Sequence, residues 1–218
     1  SGAELLKSLL VAAGVSALSV DEGTVEFHIV PRSPGAPAQI LIRPPNDDVR
    51  IVGGVTTGYA TTLSIDRAAA NNTFTFAGSV AVGAEQSFWR PLIDLPRYAG
   101  AVERSALVRR GIDVVGSSRE GVAPLSGTIL WRHRSKPLRE ILAEMLFESD
   151  NHEAEQLLRA LGTRAATSGT ALSGGTVERS VLKRLEVPDD GLRIVDGSGL
   201  AATDRVAAIS LATLLARS

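Results

Sequence analysis

The chain reads as an α+β protein, β-rich in its first part and mainly helical in its second. Three observations predict this. Short β-branched or alternating runs, punctuated by SPGAP, PPNDD and AANN, fill the chain up to about residue 96. Patterns of helical period dominate from about residue 97. The length of 218 residues, with 44% hydrophobic and 22% charged content, is enough for one large core or two modest ones.

The elements follow in order. Leu5, Leu6, Leu9 and Leu10 recur at helical spacing, so residues 3–13 read as a helix stopped by Gly14. The apolar stretch 9–20 is shorter than the roughly 20 residues a bilayer span needs. It imitates a secretion signal only faintly, because Glu4 stands in the would-be basic region. Strands are expected at 24–30, 39–43, 49–52, 61–65, 73–76 and 79–82. YAGAVERSALVRRG reads as a helix ended by Gly111, and 112–115 and 128–133 as two further strands. Ser135 is the expected N-cap of a helix with Pro137 in its first turn, whose stripe is Leu138, Ile141, Leu142, Met145 and Leu146. Helical patterns then cover 152–161, about 175–186, and 204–216.

Composition narrows the function. With 23 basic and 24 acidic residues the net charge is −1, leaving no field that would gather nucleic acid or anionic lipid, so neither partner is expected. The absence of cysteine removes disulfides, thiolate metal sites and a cysteine nucleophile. His28, His133 and His152 form no compact ligand pair, so no metal is expected, and Gly53 to Gly58 matches neither a Walker loop nor a dinucleotide fingerprint. Trp89 and Trp131 read as core or interdomain packing. The turn Asp196-Gly197-Ser198-Gly199 has the wrong residue order for a protease motif.

Ser149-Asp150-Asn151 is the most informative segment. It lies where KPLREILAEMLFE ends and HEAEQLLRALG begins, placing a hydroxyl and a carboxamide two residues apart on a tight connection. Two readings compete. Ser, Asp and Asn are favoured helix caps, and Asp150 followed by Glu153 fits a capping box, so the tripeptide can serve helix ends alone. It also matches S-x-N, the second motif of active-site serine penicillin-recognising enzymes, between S-x-x-K and K-T-G. In extended geometry Ser149 and Asn151 would face one cleft, with Asp150 turned away. His152 is placed either on the solvent side of the helix start or lining that cleft. Ser180-Val181-Leu182-Lys183 fits S-x-x-K, but it follows S-D-N in the wrong order and is not taken as the nucleophile motif. No K-T-G occurs.

The block SKPLREILAEMLFESDNHEAEQLLRALG, followed by Asp196-Gly197-Ser198-Gly199-Leu200, resembles the D-alanyl-D-alanine carboxypeptidase/endopeptidase family, the class C low-molecular-mass penicillin-binding proteins. Ala201 departs from that family's usual serine. Upstream, Ser16-Ala17-Leu18-Ser19-Val20 resembles the family's entry to its inserted domain. Arg97-Tyr98-Ala99-Gly100 and Arg110-Gly111-Ile112 resemble its return to the catalytic domain.

The resemblance implies an α+β, multidomain chain. Residues 1–15 would be an N-terminal helix and junction, 16–96 a β-rich inserted accessory domain, and 97–218 part of a transpeptidase (β-lactamase-like) domain. It implies a serine-type D-Ala-D-Ala carboxypeptidase acting on peptidoglycan stem peptides, with Ser149 and Asn151 catalytic, no cofactor, an extracytoplasmic location, and β-lactams bound by the complete protein only. The nucleophile is expected before residue 1 and the K-T-G strand after residue 218. The chain is then a shortened piece, by design, proteolysis or deletion, and inactive alone. The competing class is a non-catalytic wall-binding or protein-interaction module on the same fold. The sequence leaves the oligomeric state open.

Overall fold

A computed structural model describes residues 14–83, 85–119, 121, 126–129, 131–166 and 168–217. The helix expected at 3–13 lies outside the described residues. The chain divides into two compact units, 1–128 and 129–218.

The first unit is built on β1 (Thr24–Val30), the middle strand of an antiparallel sheet with β2 (Gln39–Arg43) on one side and β8 (Gln86–Pro91) on the other. Its two-residue alternation decides which face is buried. Val25, Phe27 and Ile29 are fully buried, whereas Glu26, His28 and Val30 take the other face. A second sheet has the order β3 (Arg50–Gly53), β6 (Thr73–Ala77), β5 (Ser64–Arg67). A short parallel pair joins β4 (Thr56–Gly58) to β7 (Ser79–Ala81). Phe74 and Phe76 of β6 meet the Phe27 ring edge-on, at centroid distances of 4.8 and 4.9 Å, and this aromatic cluster is the centre of the core.

Five of the expected strands stand within one or two residues of their places. The strand expected at 61–65 forms later, at Ser64–Arg67, and β4 and β8 add to the expected set. The strand expected at 112–115 does not form. Ile112 and Val115 are exposed, and among the described residues no strand pairs with that segment.

Helix α1 (Leu95–Arg109) begins with Pro96 in its first turn and ends before Gly111, which takes φ 80°. It begins at the boundary expected near residue 97, yet it packs into the β unit: Leu95, Tyr98, Ala99 and Ala101 are buried there. Compactness therefore divides the chain at 128/129, because that apolar face finds its partner in the sheets. Asn72 closes the same region. Its buried amide donates to Asp48 Oδ2 (2.7 Å) and Ile93 O (2.8 Å) and accepts from Ile93 N–H (3.0 Å).

The second unit holds α2 (Leu138–Glu148), α3 (Asn151–Ala166), α4 (Ala171–Arg184) and α5 (Ala208–Arg217). Helices α3 and α4 pack so closely that a Cβ on Gly174 would stand 2.0 Å from Leu158 O. Thr170 caps α4 by accepting from Ser173 N–H (3.1 Å). Helix α5 is held by buried Ser210, whose hydroxyl donates to Pro188 O (2.5 Å).

Three expectations fail in this unit. The strand expected at 128–133 is absent among the described residues, where Ile129 is exposed and Trp131 is 77% exposed and stacked on His133 instead of buried. Ser135 does not cap α2: the N-cap position is Pro137, and the Ser135 hydroxyl donates to Lys136 O. The expected apolar stripe of α2 has no fully buried member, with Leu138, Leu142 and Leu146 exposed and Ile141 and Met145 half-buried. Among the described residues no helix is long and apolar enough to cross a membrane.

Candidate active site

Ser149 and Asp150 form the whole connection between α2 and α3, and Asn151 is the first residue of α3. Helix α2 ends in a Schellman turn, with Ser149 N–H bonded to Met145 O and Asp150 N–H to the same oxygen (2.9 Å). That turn requires a left-handed residue after the helix, and Ser149 supplies it at φ 58°, ψ 49°. Glycine adopts this conformation freely, whereas a serine Cβ meets the following carbonyl there at a cost of about 1–2 kcal/mol. The extended geometry expected at Ser149 is therefore not the one it adopts.

The three side chains divide the work. Asp150 is the cap: its Oδ1 accepts from Glu153 N–H (2.9 Å), and its carbonyl accepts from Ala154 N–H (3.2 Å). Among the described residues neither the Ser149 hydroxyl nor the Asn151 carboxamide takes part in a hydrogen bond. Ser149 is exposed and Asn151 half-buried. Ser149 thus ends α2 through its backbone and Asp150 caps α3 with its side chain, which leaves the Ser149 hydroxyl and the Asn151 carboxamide outside the capping.

The surroundings are acidic. Burial, followed by repulsion from Asp150 and Glu144, raises the pKa of Glu153 above the ordinary carboxyl range. Lys136 sits against Glu144 at 2.5 and 2.7 Å, and that hydrogen bond raises its pKa. His152 lies 7% exposed in the first turn of α3, so its placement on the solvent side is overturned. Burial, with help from Arg159, lowers its pKa against the opposing pull of Asp150 and Glu155.

Helix α3 is anchored from below by its own acid. Glu155 Oε1 accepts from Gly197 N–H (2.9 Å), Ser198 N–H (3.2 Å) and the Ser198 hydroxyl (3.1 Å), and Glu155 Oε2 pairs with Arg159. Sequence reasoning missed this link. Its only signal was that Glu155 and Gly197-Ser198 fall in two separate motifs of one family resemblance.

A cavity of about 440 Å³ lies among Leu182, Val187, Ile194, Asp196 and Asp204, and neither Ser149 nor Asn151 lines it. The groove expected to be shared by the two residues is not that cavity. Ser180 of α4 is exposed and its hydroxyl donates to Val177 O (2.6 Å), within its own helix. The turn at 196–199 is confirmed, with Asp196 accepting from Gly199 N–H (2.6 Å) and Ala201 N–H (2.7 Å).

The model of the D-Ala-D-Ala carboxypeptidase 3 (S13) family matches residues 8–218. The chain belongs to that family. It is 32% identical to a D-alanyl-D-alanine carboxypeptidase of Actinomadura sp. (strain R39), covering 94% of this chain and 40% of that protein. It is 29% identical over 119 residues to the D-alanyl-D-alanine carboxypeptidase DacB of Haemophilus influenzae, covering 54% of this chain and 25% of that one. The chain thus spans less than half the length of these curated relatives.

Two solved structures of penicillin binding protein 4 (dacB) from Haemophilus influenzae share the fold. One, in complex with a β-lactam, gives a TM-score of 0.71 at 22% identity over 97% of this chain and 55% of that one. The other gives 0.75 at 22% identity, over 94% and 47%. Mixed α/β content of the penicillin-binding type, expected from the sequence, is what these neighbours have.

Proposed function

We propose that this chain is part of a serine-type D-Ala-D-Ala carboxypeptidase/endopeptidase that acts on peptidoglycan stem peptides outside the cytoplasm. Ser149 and Asn151 are its second catalytic motif, Ser149 relaying a proton and Asn151 orienting the substrate amide and the lysine of the nucleophile motif. The observation that carries this reading is the division of labour at 149–151. Asp150 is the one side chain of the three that caps, while a serine holds a left-handed position that glycine would occupy without strain. Membership of the S13 family supplies the reaction class.

Acyl transfer from a D-Ala-D-Ala peptide needs an activated serine, an oxyanion hole and groups that position the amide. Residues 149 and 151 provide only the last. No S-x-x-K precedes S-D-N in this sequence and no K-T-G occurs, so the 218-residue chain is inactive by itself. β-Lactams mimic the acyl donor and acylate the complete protein only.

The test is incubation of the complete gene product with a fluorescent penicillin, together with an assay of D-alanine release from a stem-peptide substrate. A stable covalent label and released D-alanine are expected, and Asn151→Ala is expected to slow both by about 10²-fold. A folded complete protein that takes no label and releases no D-alanine overturns the assignment in favour of a non-catalytic wall-binding module.

A further inference from the structure

Helix α3 carries Asn151 at its first residue and Glu155 one turn later. The Glu155 side chain is 13% exposed, and its carboxylate crosses 42 positions of sequence to bind the Gly197-Ser198 backbone and the Ser198 hydroxyl. Three donors converging on one carboxylate oxygen make a charge-assisted, directional link. The two surfaces also meet without side-chain padding, since a Cβ on Gly197 would stand 2.4 Å from Ala154 O. Ala154 and Glu155 are thus held from outside the helix, one by contact and one by hydrogen bonds.

We infer that Glu155, with the flush seat at Gly197, is a positioning device that fixes the axial position and rotation of the first turn of α3 and thereby aims Asn151. This rests on the reading of Asn151 as a catalytic-motif residue. A helix that rotates about its axis swings a side chain at its end through several ångströms, and misplacement by about 1 Å can cost 10²-fold in rate. Asp150 caps the helix locally but cannot set its rotation, because it belongs to the same turn. An anchor outside the helix is required, and the Gly197-Ser198 turn is one. That turn is itself braced by Asp196, which accepts from Gly199 and Ala201 N–H.

The test uses the complete gene product and separates non-covalent penicillin binding from the acylation rate constant by stopped-flow labelling. Three variants are compared with wild type. Glu155→Ala removes all three bonds, Gly197→Ala pushes the turn off the helix while leaving the carboxylate, and Glu155→Gln keeps one acceptor oxygen. Val187→Ala, a buried site between α4 and α5, is the control for lost stability alone. The expected result is an acylation constant at least tenfold lower in Glu155→Ala and Gly197→Ala, with penicillin affinity changed less than threefold. Glu155→Gln is expected to recover most of the rate. Val187→Ala should lower Tm and leave the acylation constant of the folded fraction unchanged.

If wild type is labelled and both Glu155→Ala and Gly197→Ala acylate at its rate, the positioning role is overturned and the proposed function stands. The positioning role is overturned equally if their loss only tracks the unfolded fraction, as in the control. If wild type itself takes no label, the proposed function fails and the positioning role fails with it.

Discussion

Replacing Gly174 by alanine should destabilise the helical unit, against the usual sign of that substitution. Alanine in a helix interior ordinarily gains about 1 kcal/mol over glycine. At Gly174 the added Cβ would lie 2.0 Å from Leu158 O, 2.7 Å from Leu158 C and 2.9 Å from Leu158 Cγ. Real Cβ atoms do not approach within 3.0 Å, so α3 and α4 must move apart by about 1 Å. Two of the three atoms are backbone within a helix and cannot turn aside. Overpacking costs about 1–3 kcal/mol and more where backbone must shift, so the net loss should be about 2 kcal/mol. Gly175 is the internal comparison, because the three atoms nearest its added Cβ all belong to Ile194 and the nearest, Cγ2, stands at 3.3 Å. Gly175→Ala should lie within about 0.5 kcal/mol of wild type. Urea denaturation followed by far-ultraviolet circular dichroism measures both. A Gly174→Ala protein as stable as wild type, or two variants with equal midpoints, refutes the close helix crossing.

Other substitutions probe the first unit and the charged groups. Phe27→Ala removes the ring on which Phe74 and Phe76 converge and should cost about 3–5 kcal/mol, read as a fall in the urea midpoint. Asn72→Ala leaves Ile93 N–H and O and Asp48 without their amide partner and should lower stability by about 2–3 kcal/mol by the same assay. The lowered pKa of buried His152 means that the unfolded chain binds its proton first as pH falls. Its contribution is therefore complete above the unfolded value near 6.5 and is lost below it, until the folded imidazole also protonates. Stability should decline on acidification through that window, and His152→Gln should flatten the decline in a series of urea midpoints against pH.

Much of the architecture was readable from pattern, and the exceptions share a cause. Val25, Phe27 and Ile29 alternate with polar or half-buried neighbours, so β1 and its inward face were legible. Strand β8, with Gln86, Arg90 and Pro91, carries little β signal of its own and forms because β1 pairs with it about 60 residues away. The reverse holds at 112–115 and 128–133, where β-branched or apolar residues are present but, among the described residues, no strand is paired with them. The stripe on α2 was correctly periodic, yet period reports amphipathicity and not which surface receives it. At the site, the cap at Asp150 was visible as an Asp-x-x-Glu spacing. The left-handed turn at Ser149 was not, because the usual sign of that turn is glycine. The Glu155 link could not be read from local pattern for a simpler reason: only the fold brings residues 155 and 197–198 together.

Under the proposed function, a serine held at φ 58° where glycine would relax sets stability against chemistry at one position, and Ser149→Gly reads both on a single sample of the complete gene product. Relief of the left-handed strain, offset by the extra freedom of glycine in the unfolded chain, should raise stability by about 0.5–1 kcal/mol. Loss of the hydroxyl should slow acylation by fluorescent penicillin on the order of 10²-fold. A variant that gains stability and loses acylation is the expected outcome. A variant that acylates at the wild-type rate contradicts the role of Ser149, whatever its stability.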